Sequence, residues 1–219
     1  MMEMKLSKKE IAYTQIKQDI INNEFTSDTL LTEAFLCSKY ELSRTPVREA
    51  LQQLASEGFV NFTQDKGFSI AQIGLEDCLQ IYEMREALEG MAARLCSIRI
   101  SEAELGQLED LLAASRDAYE QGDLKLSMVK DMDFHRCVMR ASKNTRMEQS
   151  LNNLIELSSR LTFKANAEIV ELSLAQHEEL LQAIKASDKD RSEAIMRRHV
   201  ATSKKYHFAH YYLDEPMDI

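Results

Sequence analysis

The spacing of hydrophobic positions in the first 60 residues predicts three short helices. The first runs from about Lys8 to Asn23, and its apolar side consists of Ile11, Ile16, Ile20 and Ile21. The second begins after Thr32, whose hydroxyl can cap it, and its apolar positions are Phe35, Leu36 and Tyr40. A short connection of sequence ELS then leads to the third helix.

The third helix lies in the stretch SRTPVREALQQLASEGFV, residues 43–60. Its apolar positions, three and four residues apart, are Val47, Ala50, Leu51 and Leu54. Either Ser43 or Thr45 can cap its start, because Pro46 is tolerated in a first turn, and Gly58 ends it. Arg48 projects from the opposite, polar side, and Arg44 flanks the start of the helix. This pattern is typical of a recognition helix in a DNA major groove, although an ordinary surface helix with two solvated arginines would share it.

After Gly58 the hydrophobic pattern changes to that of two short strands. Phe59 to Phe62 and Phe68 to Ile70 predict a β-hairpin, with Asp65, Lys66 and Gly67 at its tip. Three helices followed by a hairpin are the plan of a winged helix-turn-helix, whose hairpin loop reaches an adjacent groove or phosphate.

From Leu75 onward every segment has helical periodicity. We therefore predict a mainly α-helical protein with two domains: a winged helix-turn-helix in residues 1–72 and an all-helical bundle in residues 73–219. The predicted helices of the bundle are 75–98, 101–121, 123–142, 145–168, 171–186 and 188–212.

Net charge changes how DNA binding must work. The chain carries a net charge of -9, and residues 1–71 contain eight Lys or Arg against ten Asp or Glu. Any affinity for DNA must therefore come from a few well-placed cations, with weak non-specific binding. No apolar run approaches the roughly 20 residues of a membrane span, and four scattered cysteines indicate a reduced, cytoplasmic protein.

Four ionisable residues point toward the core of the predicted bundle. Asp131 and His135 are four residues apart and share one helix face, while His177 and His199 lie among apolar residues of two later helices. A single buried histidine is usually a satisfied core residue. Three with a carboxylate are costly to bury unpaired, and one divalent metal ion would satisfy all four. An internally hydrogen-bonded polar cluster is the alternative.

The sequence resembles a known family over nearly its whole length. Residues Ile11 to Ile70, with SRTPVREAL followed by L-x-x-E-G, are similar to the DNA-binding domain of the GntR family of bacterial regulators. The remainder resembles the helical effector domain of the FCD branch, which is the branch that contains the fatty-acid-responsive regulator. The chain departs from the family at Ala34, where many members carry a basic DNA contact. It also has Asn23 and Asp28 in place of the usual glycines, which should affect only loop shape.

The resemblance implies roles for individual residues. The DNA-binding positions would be Ser43, Arg44, Thr45, Arg48, Lys66 and Gly67. The FCD pattern of Asp-x3-His and two later histidines implies a metal site, with zinc or nickel favoured, at Asp131, His135, His177 and His199.

Two further positions match the effector pocket of FCD relatives, namely Arg85 and Asn144. Arg85 could instead form a salt bridge with Glu89, and Asn144 could simply terminate a helix. His207 and His210 fall beyond the metal pattern, and we expect them to be peripheral.

The function expected from these observations is that of a regulator rather than an enzyme. We expect a cytoplasmic homodimer that binds a palindromic DNA operator, with repression as the expected mode. Its affinity for the operator should respond to a small carboxylate effector bound near the metal. A metal-dependent hydrolase is the alternative, although HEELL at 177–181 is not H-E-x-x-H and no carboxylate is clearly placed as a general base. A helical interaction module explains the hairpin and SRTPVREAL poorly.

Overall fold

The computed structural model describes residues 6–25, 29–160 and 167–212, with side chains up to residue 209. Within this part of the chain the predicted fold class is confirmed: a winged helix-turn-helix precedes an all-helical domain. The chain divides after Gly74 into two compact units, which we call the N-terminal unit and the C-terminal unit.

The N-terminal unit contains three helices and a small antiparallel sheet among its described residues. In chain order its elements are α1 (Lys8–Ile21), β1 (Leu30–Leu31), α2 (Glu33–Tyr40), α3 (Arg44–Ser56), β2 (Val60–Thr63) and β3 (Gly67–Ile70). The strand order is β1-β3-β2, and Val60 pairs with Ile70 at the open end of the hairpin. Strand β1 was not predicted. It pairs Leu30 with Ser69 and Leu31 with Phe68, and so adds an edge to the wing.

The helix caps explain where α2 and α3 begin. The Thr32 hydroxyl accepts a hydrogen bond from the Phe35 amide at 3.1 Å, as predicted. Ser43 occupies the N-cap position of α3, but its side chain makes no capping hydrogen bond, so side-chain capping of this helix is a wrong prediction. The reason is Pro46: it occupies the third helical position and has no N–H to donate.

The end of α3 is fixed by Gly58, as predicted. Gly58 has a φ of 82°, a conformation that costs glycine little. The amide of Gly58 donates to the Ala55 carbonyl, and the amide of Phe59 donates to the Leu54 carbonyl at 2.9 Å. This arrangement turns the chain from α3 directly into the wing.

The loop after α1 accommodates the missing glycine. Asn23 has a φ of 56°, and asparagine tolerates this left-handed conformation better than most side chains. The substitution therefore preserves the turn. Asp28, the other departure from the family, lies outside the described residues.

The C-terminal unit is formed by helices in its described part. They are α4 (Leu75–Arg99), α5 (Glu102–Glu120), α6 (Leu124–Ala141), α7 (Thr145–Ser159), α8 (Ala167–Lys185) and α9 (Lys189–Tyr212). The prediction of a helix over 145–168 is wrong, because α7 ends at Ser159 and α8 begins at Ala167. The reason is that Val170 and Leu174 are buried at a spacing of four residues, so the apolar face of α8 extends toward its start at Ala167.

Helix α4 packs along α9 and also contacts α6, α7 and α8. Its close approach to α9 depends on Gly90, where an added Cβ atom would lie 2.6 Å from Cγ of Arg197. The glycine thus allows two long helices to meet beside the buried polar residues of α4. Among the described helices, none combines the length and the apolar character that crossing a bilayer requires.

Candidate nucleic-acid interface and metal centre

Helix α3 separates an apolar back from a polar front. The back is fully buried and consists of Val47, Ala50, Leu51 and Leu54. The four predicted DNA-binding residues on or beside this helix are exposed, namely Ser43, Arg44, Thr45 and Arg48. Packing of the back therefore fixes the helix without using the groups that could contact DNA.

Arg48 is held by a residue that was not predicted as part of the site. Its Nε donates to Oε1 of Glu33 on α2 at 2.6 Å, and this hydrogen bond and the charge of Glu33 raise the pKa of Arg48. Glu33 lies in the first turn of α2, directly after the Thr32 cap. Its distance of 15 residues from Arg48 gave no local signal for the pair.

The tip of the wing carries the other two predicted DNA-binding residues. Lys66 is exposed, and its backbone amide donates to the Thr63 carbonyl at 3.2 Å. Gly67 has a φ of 84° and opens β3. The turn therefore presents the Lys66 side chain to solvent at the end of the hairpin.

Glu57 of the L-x-x-E-G motif has a structural role. It accepts hydrogen bonds from the Tyr13 hydroxyl at 2.6 Å and from Gln53 at 3.1 Å, and it pairs with Lys17 at 3.1 Å. Burial, followed by the hydrogen bond to Glu57, raises the pKa of Tyr13 to about 12. Glu57 therefore ties the end of α3 to α1 and fixes the orientation of the recognition helix.

The four predicted metal-binding residues converge in the C-terminal unit. Asp131 and His135 come from α6, His177 from α8 and His199 from α9, and one ligand atom from each lies within 4.8 Å of all the others. Nε2 of His135 is 3.1 Å from Nε2 of His199 and 3.2 Å from Nε2 of His177. All three histidines are buried.

Outer hydrogen bonds fix the protonation of two of these rings. Nδ1 of His135 contacts a carboxylate oxygen of Glu89, and Nδ1 of His199 lies 3.0 Å from the amide oxygen of Gln176. Both oxygens only accept, so each Nδ1 donates its proton outward and each Nε2 faces the cluster. The Nε2 atoms of His135 and His199, which are 3.1 Å apart, can share a proton or can each direct a lone pair toward one metal ion.

The cluster fits a divalent transition metal. Ligand nitrogens at about 2.0–2.1 Å from one ion lie about 3.0–3.4 Å from each other, the spacing of the Nε2 atoms here. Burial lowers the pKa of His177 to about 4, partly opposed by Asp131, and burial lowers the pKa of His199 well below its ordinary value. Both imidazoles are therefore neutral near pH 7, the form that binds a metal.

His135, His199 and Asp131 border a cavity of about 70 Å³, several times the space that one water needs, whereas His177 completes the cluster without lining it. Arg85 and Ser158 also line it. Asp131 is positioned at the wall by Ser173, whose hydroxyl donates to its Oδ1, and Oδ1 also lies 3.2 Å from Nδ1 of His177. The candidate metal centre therefore opens into a pocket.

Arg85 forms the expected salt bridge with Glu89 and also lies on the wall of the cavity. Its Nε donates to Glu89 at 2.7 Å, and its Nη1 donates to the Ser158 hydroxyl at 2.8 Å, while its side chain lines the cavity. Burial would raise the pKa of Glu89, but Arg85 and His135 instead hold it at about 2. Glu89 thus links the arginine of the pocket to a histidine of the metal centre. Its position four residues after the inward-facing Arg85 was the signal that could have identified it.

The other sequence assignments near the pocket need revision. Asn144 is not among the residues that line this cavity; its Oδ1 caps α7 by accepting from the Met147 amide at 3.2 Å. His207 was expected to be peripheral, yet it lines the cavity and its Nδ1 is hydrogen-bonded to the Tyr82 hydroxyl. The side chain of His210 lies outside the described residues.

The carboxylates that follow His177 do not serve the metal centre. Glu178 and Glu179 are exposed and form salt bridges with Arg116 and Arg198, respectively. The segment HEELL thus places no general base beside the cluster, which weakens the hydrolase alternative.

A winged helix-turn-helix with an exposed, arginine-bearing recognition helix defines a DNA-binding protein. The sequence profile of bacterial regulatory proteins of the gntR family matches residues 8–70, and that of the FCD domain matches residues 80–202. The chain belongs to the GntR family of transcriptional regulators, in its FCD branch.

Named relatives and a solved structure agree with this assignment. The HTH-type transcriptional repressor GlaR of Escherichia coli K12 is 28% identical over 205 residues, 87% of this chain and 91% of the relative. The gluconate operon transcriptional repressor of Bacillus subtilis 168 is 30% identical over 187 residues, 82% and 76% of the two chains. The fold is similar to that of E. coli McbR/YncC, with a TM-score of 0.82, 21% identity and coverage of 94% and 100%. These relatives give the hydrolase alternative no support.

Proposed function

We propose that this regulator binds its operator as a homodimer and that a small carboxylate, bound beside a metal ion in the C-terminal unit, changes its affinity for DNA. The observation that carries the proposal is the convergence of three imidazoles and Asp131 in one cluster, of which Asp131, His135 and His199 line a cavity that Arg85 also lines. Repression is the mode we favour, since the relatives GlaR and the gluconate operon regulator are named repressors.

DNA recognition is assigned to α3 and the wing. Arg44 and Arg48 enter the major groove, where a guanidinium donates two hydrogen bonds to guanine. Ser43 and Thr45 are exposed at the start of the helix and contact phosphate, as do Lys66 and Gly67 at the wing tip. Glu33 engages Nε of Arg48, so the outer edge of the guanidinium is left to face a base.

The metal would be zinc or nickel, held by Asp131, His135, His177 and His199. When bound, it supplies a Lewis-acidic position for an oxygen of the effector. Glu89 and Gln176 orient His135 and His199 for this role, because each accepts the Nδ1 proton. Arg85 binds the second carboxylate oxygen from the cavity wall.

Helix α4 offers a route by which the effector could act on DNA binding. It carries Arg85 and Glu89, and it begins at Leu75, directly after the boundary between the two units. A shift of α4 upon effector binding would therefore pull on the chain that leads from the wing. We treat this coupling as a hypothesis, because continuity of the chain is not a measured coupling energy.

The homodimer is supported by an exposed apolar stripe on α4. Met84, Met91 and Ile98 are seven residues apart and solvent-exposed, the spacing of a helix that packs against a second helix. The occupant we propose is a second copy of this chain, since two-fold pairing also doubles the contacts with a palindromic operator.

Sedimentation of Met91→Lys tests the dimer. We expect dimers of the unchanged chain at micromolar concentration and monomers of the variant. Leu126→Lys is the matched control, because Leu126 is also an exposed large apolar residue but lies on α6. Equal dimerisation of all three proteins would refute the role of the α4 stripe.

Elemental analysis combined with footprinting tests the main proposal. Protein purified without chelators or a histidine tag should contain stoichiometric metal and protect a palindromic site upstream of its own gene. His177→Ala should lose the metal while retaining a protected site that no longer responds to small carboxylates. Wild-type protein that neither retains nor takes up zinc or nickel would contradict the metal centre, leaving a hydrogen-bonded polar cluster.

A further inference from the structure

The cavity beside the metal centre has a wall of serine hydroxyls. Besides its ionisable, tyrosine and apolar residues, it is lined by five serines that we call the serine wall: Ser115, Ser127, Ser158, Ser173 and Ser203. A ligand in this cavity must either provide hydrogen bonds to these hydroxyls or leave them without the hydrogen bonds that water would make.

The protons of the serine wall are already used within the protein. Four hydroxyls donate to protein oxygens: Ser115 to the Ser127 carbonyl at 2.9 Å, Ser158 to the Ile155 carbonyl at 2.8 Å, Ser173 to Oδ1 of Asp131, and Ser203 to the His199 carbonyl at 3.2 Å. The fifth hydroxyl, that of Ser127, lies 3.1 Å from the Ser115 oxygen. Because the Ser115 proton is already donated to the Ser127 carbonyl, the Ser127 hydroxyl donates to the Ser115 oxygen.

A hydroxyl has one proton and two lone pairs, so the serine wall can offer a ligand only acceptors. Ligand O–H groups are the matching donors. An aliphatic carboxylate has no such donors. It would displace water from the serine oxygens and would not replace the hydrogen bonds that this water made. The wall therefore favours a ligand that bears hydroxyl groups.

The charges around the cavity favour a single carboxylate. With the proposed divalent ion in place, the positive charges of that ion and Arg85 exceed the negative charges of Glu89 and Asp131 by one. One ligand carboxylate balances this site, whereas a second would be buried without a counter-charge. A zwitterionic amino acid carries no net charge and would therefore leave the single positive charge of the site unbalanced.

We infer that the effector is a hydroxylated monocarboxylate, whose carboxylate binds at the metal and Arg85 and whose hydroxyl groups donate to the serine wall. This inference rests on the proposed function and narrows its ligand class from carboxylates in general.

Calorimetry on the full chain loaded with stoichiometric zinc tests the inference. The probes are polyhydroxy monocarboxylates of increasing length, from glycerate to gluconate, each beside the deoxy carboxylate of equal length, from propionate to hexanoate. Tartrate and serine are the dicarboxylate and zwitterionic probes. At least one hydroxylated acid should bind at least tenfold more tightly than its deoxy partner, tartrate and serine.

Two serine variants on α9 form a matched pair. Ser203 and Ser192 both donate to the carbonyl four residues earlier, but Ser192 is not among the residues that line the cavity. Ser203→Ala should weaken binding of the hydroxylated acid roughly two- to tenfold, the loss of one neutral hydrogen bond, and leave the deoxy acid unaffected. Ser192→Ala should change neither affinity.

The outcomes separate this inference from the proposed function. A deoxy acid that binds as tightly as its hydroxylated partner overturns recognition by the serine wall but leaves a carboxylate effector in place. Tighter binding of tartrate overturns the charge argument in the same way. If zinc-loaded protein that binds its operator takes up none of the probes, both the ligand class and the carboxylate effector are wrong. Failure to load zinc refutes the metal centre itself, and the inference with it.

Discussion

The two units of this regulator each contain an arginine–glutamate pair of similar length in very different surroundings. Nε of Arg48 lies 2.6 Å from Glu33, and Nε of Arg85 lies 2.7 Å from Glu89. The side chains of the first pair are 63% and 21% exposed, whereas those of the second are 6% and 1% exposed. The same interaction therefore has a different energetic meaning in each unit.

An exposed pair is screened by water and contributes little to stability, so its partners can exchange one contact for another at small cost. That property suits an arginine that must leave solvent and bind a base. A buried pair cannot lose one partner without leaving an uncompensated charge, so it acts as a fixed part of the core. It suits an arginine that must hold its position beside a ligand site.

Breaking the buried pair should have the largest effect. Glu89→Gln leaves Arg85 charged and without its carboxylate, and it leaves a single amide oxygen to accept from both Arg85 and His135. We expect the free energy of unfolding to fall by about 3–5 kcal/mol, measured by denaturant titration of zinc-free protein. The double variant Arg85→Gln, Glu89→Gln should recover part of the loss. A cost below about 1 kcal/mol would mean that the pair behaves like an exposed one.

The next largest effect concerns metal stabilisation of the C-terminal unit. Zinc at a free concentration of a hundred times its Kd should stabilise the folded protein by about 2.7 kcal/mol, which raises Tm by roughly 5–11 °C. His177→Ala should abolish this increase. His207→Ala is the matched control, because His207 lines the cavity but is not one of the four clustered residues. Similar loss of the zinc response in both variants would place the ion elsewhere.

Removal of the exposed arginines should leave stability almost unchanged but weaken operator binding. Arg48→Ala should cost about 1–3 kcal/mol of discrimination between operator and unrelated DNA, and Arg44→Ala a similar amount. Fluorescence anisotropy at fixed salt measures both affinities. Lys9→Ala removes an equal charge from α1 and is the control. Unchanged affinity of the double arginine variant would exclude α3 from the major groove.

The smallest predicted effect concerns Glu33, the exposed partner of Arg48. Glu33→Gln should change the free energy of unfolding by less than about 1 kcal/mol, in contrast to Glu89→Gln. It should nevertheless reduce operator specificity, because Arg48 loses the contact that orients its guanidinium. Glu49→Gln, an exposed neighbour on α3, serves as the control. If both variants discriminate operator from unrelated DNA like the wild type, Glu33 does not position Arg48.

Periodicity and end signals were sufficient for much of the fold. Gly58 and Thr32 act as predicted, because a cap depends on residues only a few positions apart. Strand β1 was not predicted, because a strand of two residues shows no alternation of apolar and polar positions. Its pairing with β3 also depends on residues almost 40 positions later in the chain. The capping prediction for Ser43 failed on one missing N–H, that of Pro46.

The candidate site shows the same limit. The four clustered residues could be singled out because each interrupts an apolar helical face, and the resemblance joined them into one site. Their outer partner Gln176 could not, since a polar residue that orients a ring leaves no pattern in its own helix, and Glu89 could be found only through its spacing of four residues from Arg85. His207 was misjudged because the pattern ended at His199, whereas α9 continues along the same cavity.

The origin of the clustered side chains on three separate helices has a consequence for timing. We expect an ion held by α6, α8 and α9 to exchange slowly, because its ligands lie on three packed helices and no single flexible loop can release them together. Metal occupancy would then report the conditions under which the chain folded rather than those of the moment. The proposed effector would reach the same centre through the cavity and would exchange on a much shorter timescale. One buried cluster would thus combine a slowly exchanging metal ion with a rapidly exchanging effector.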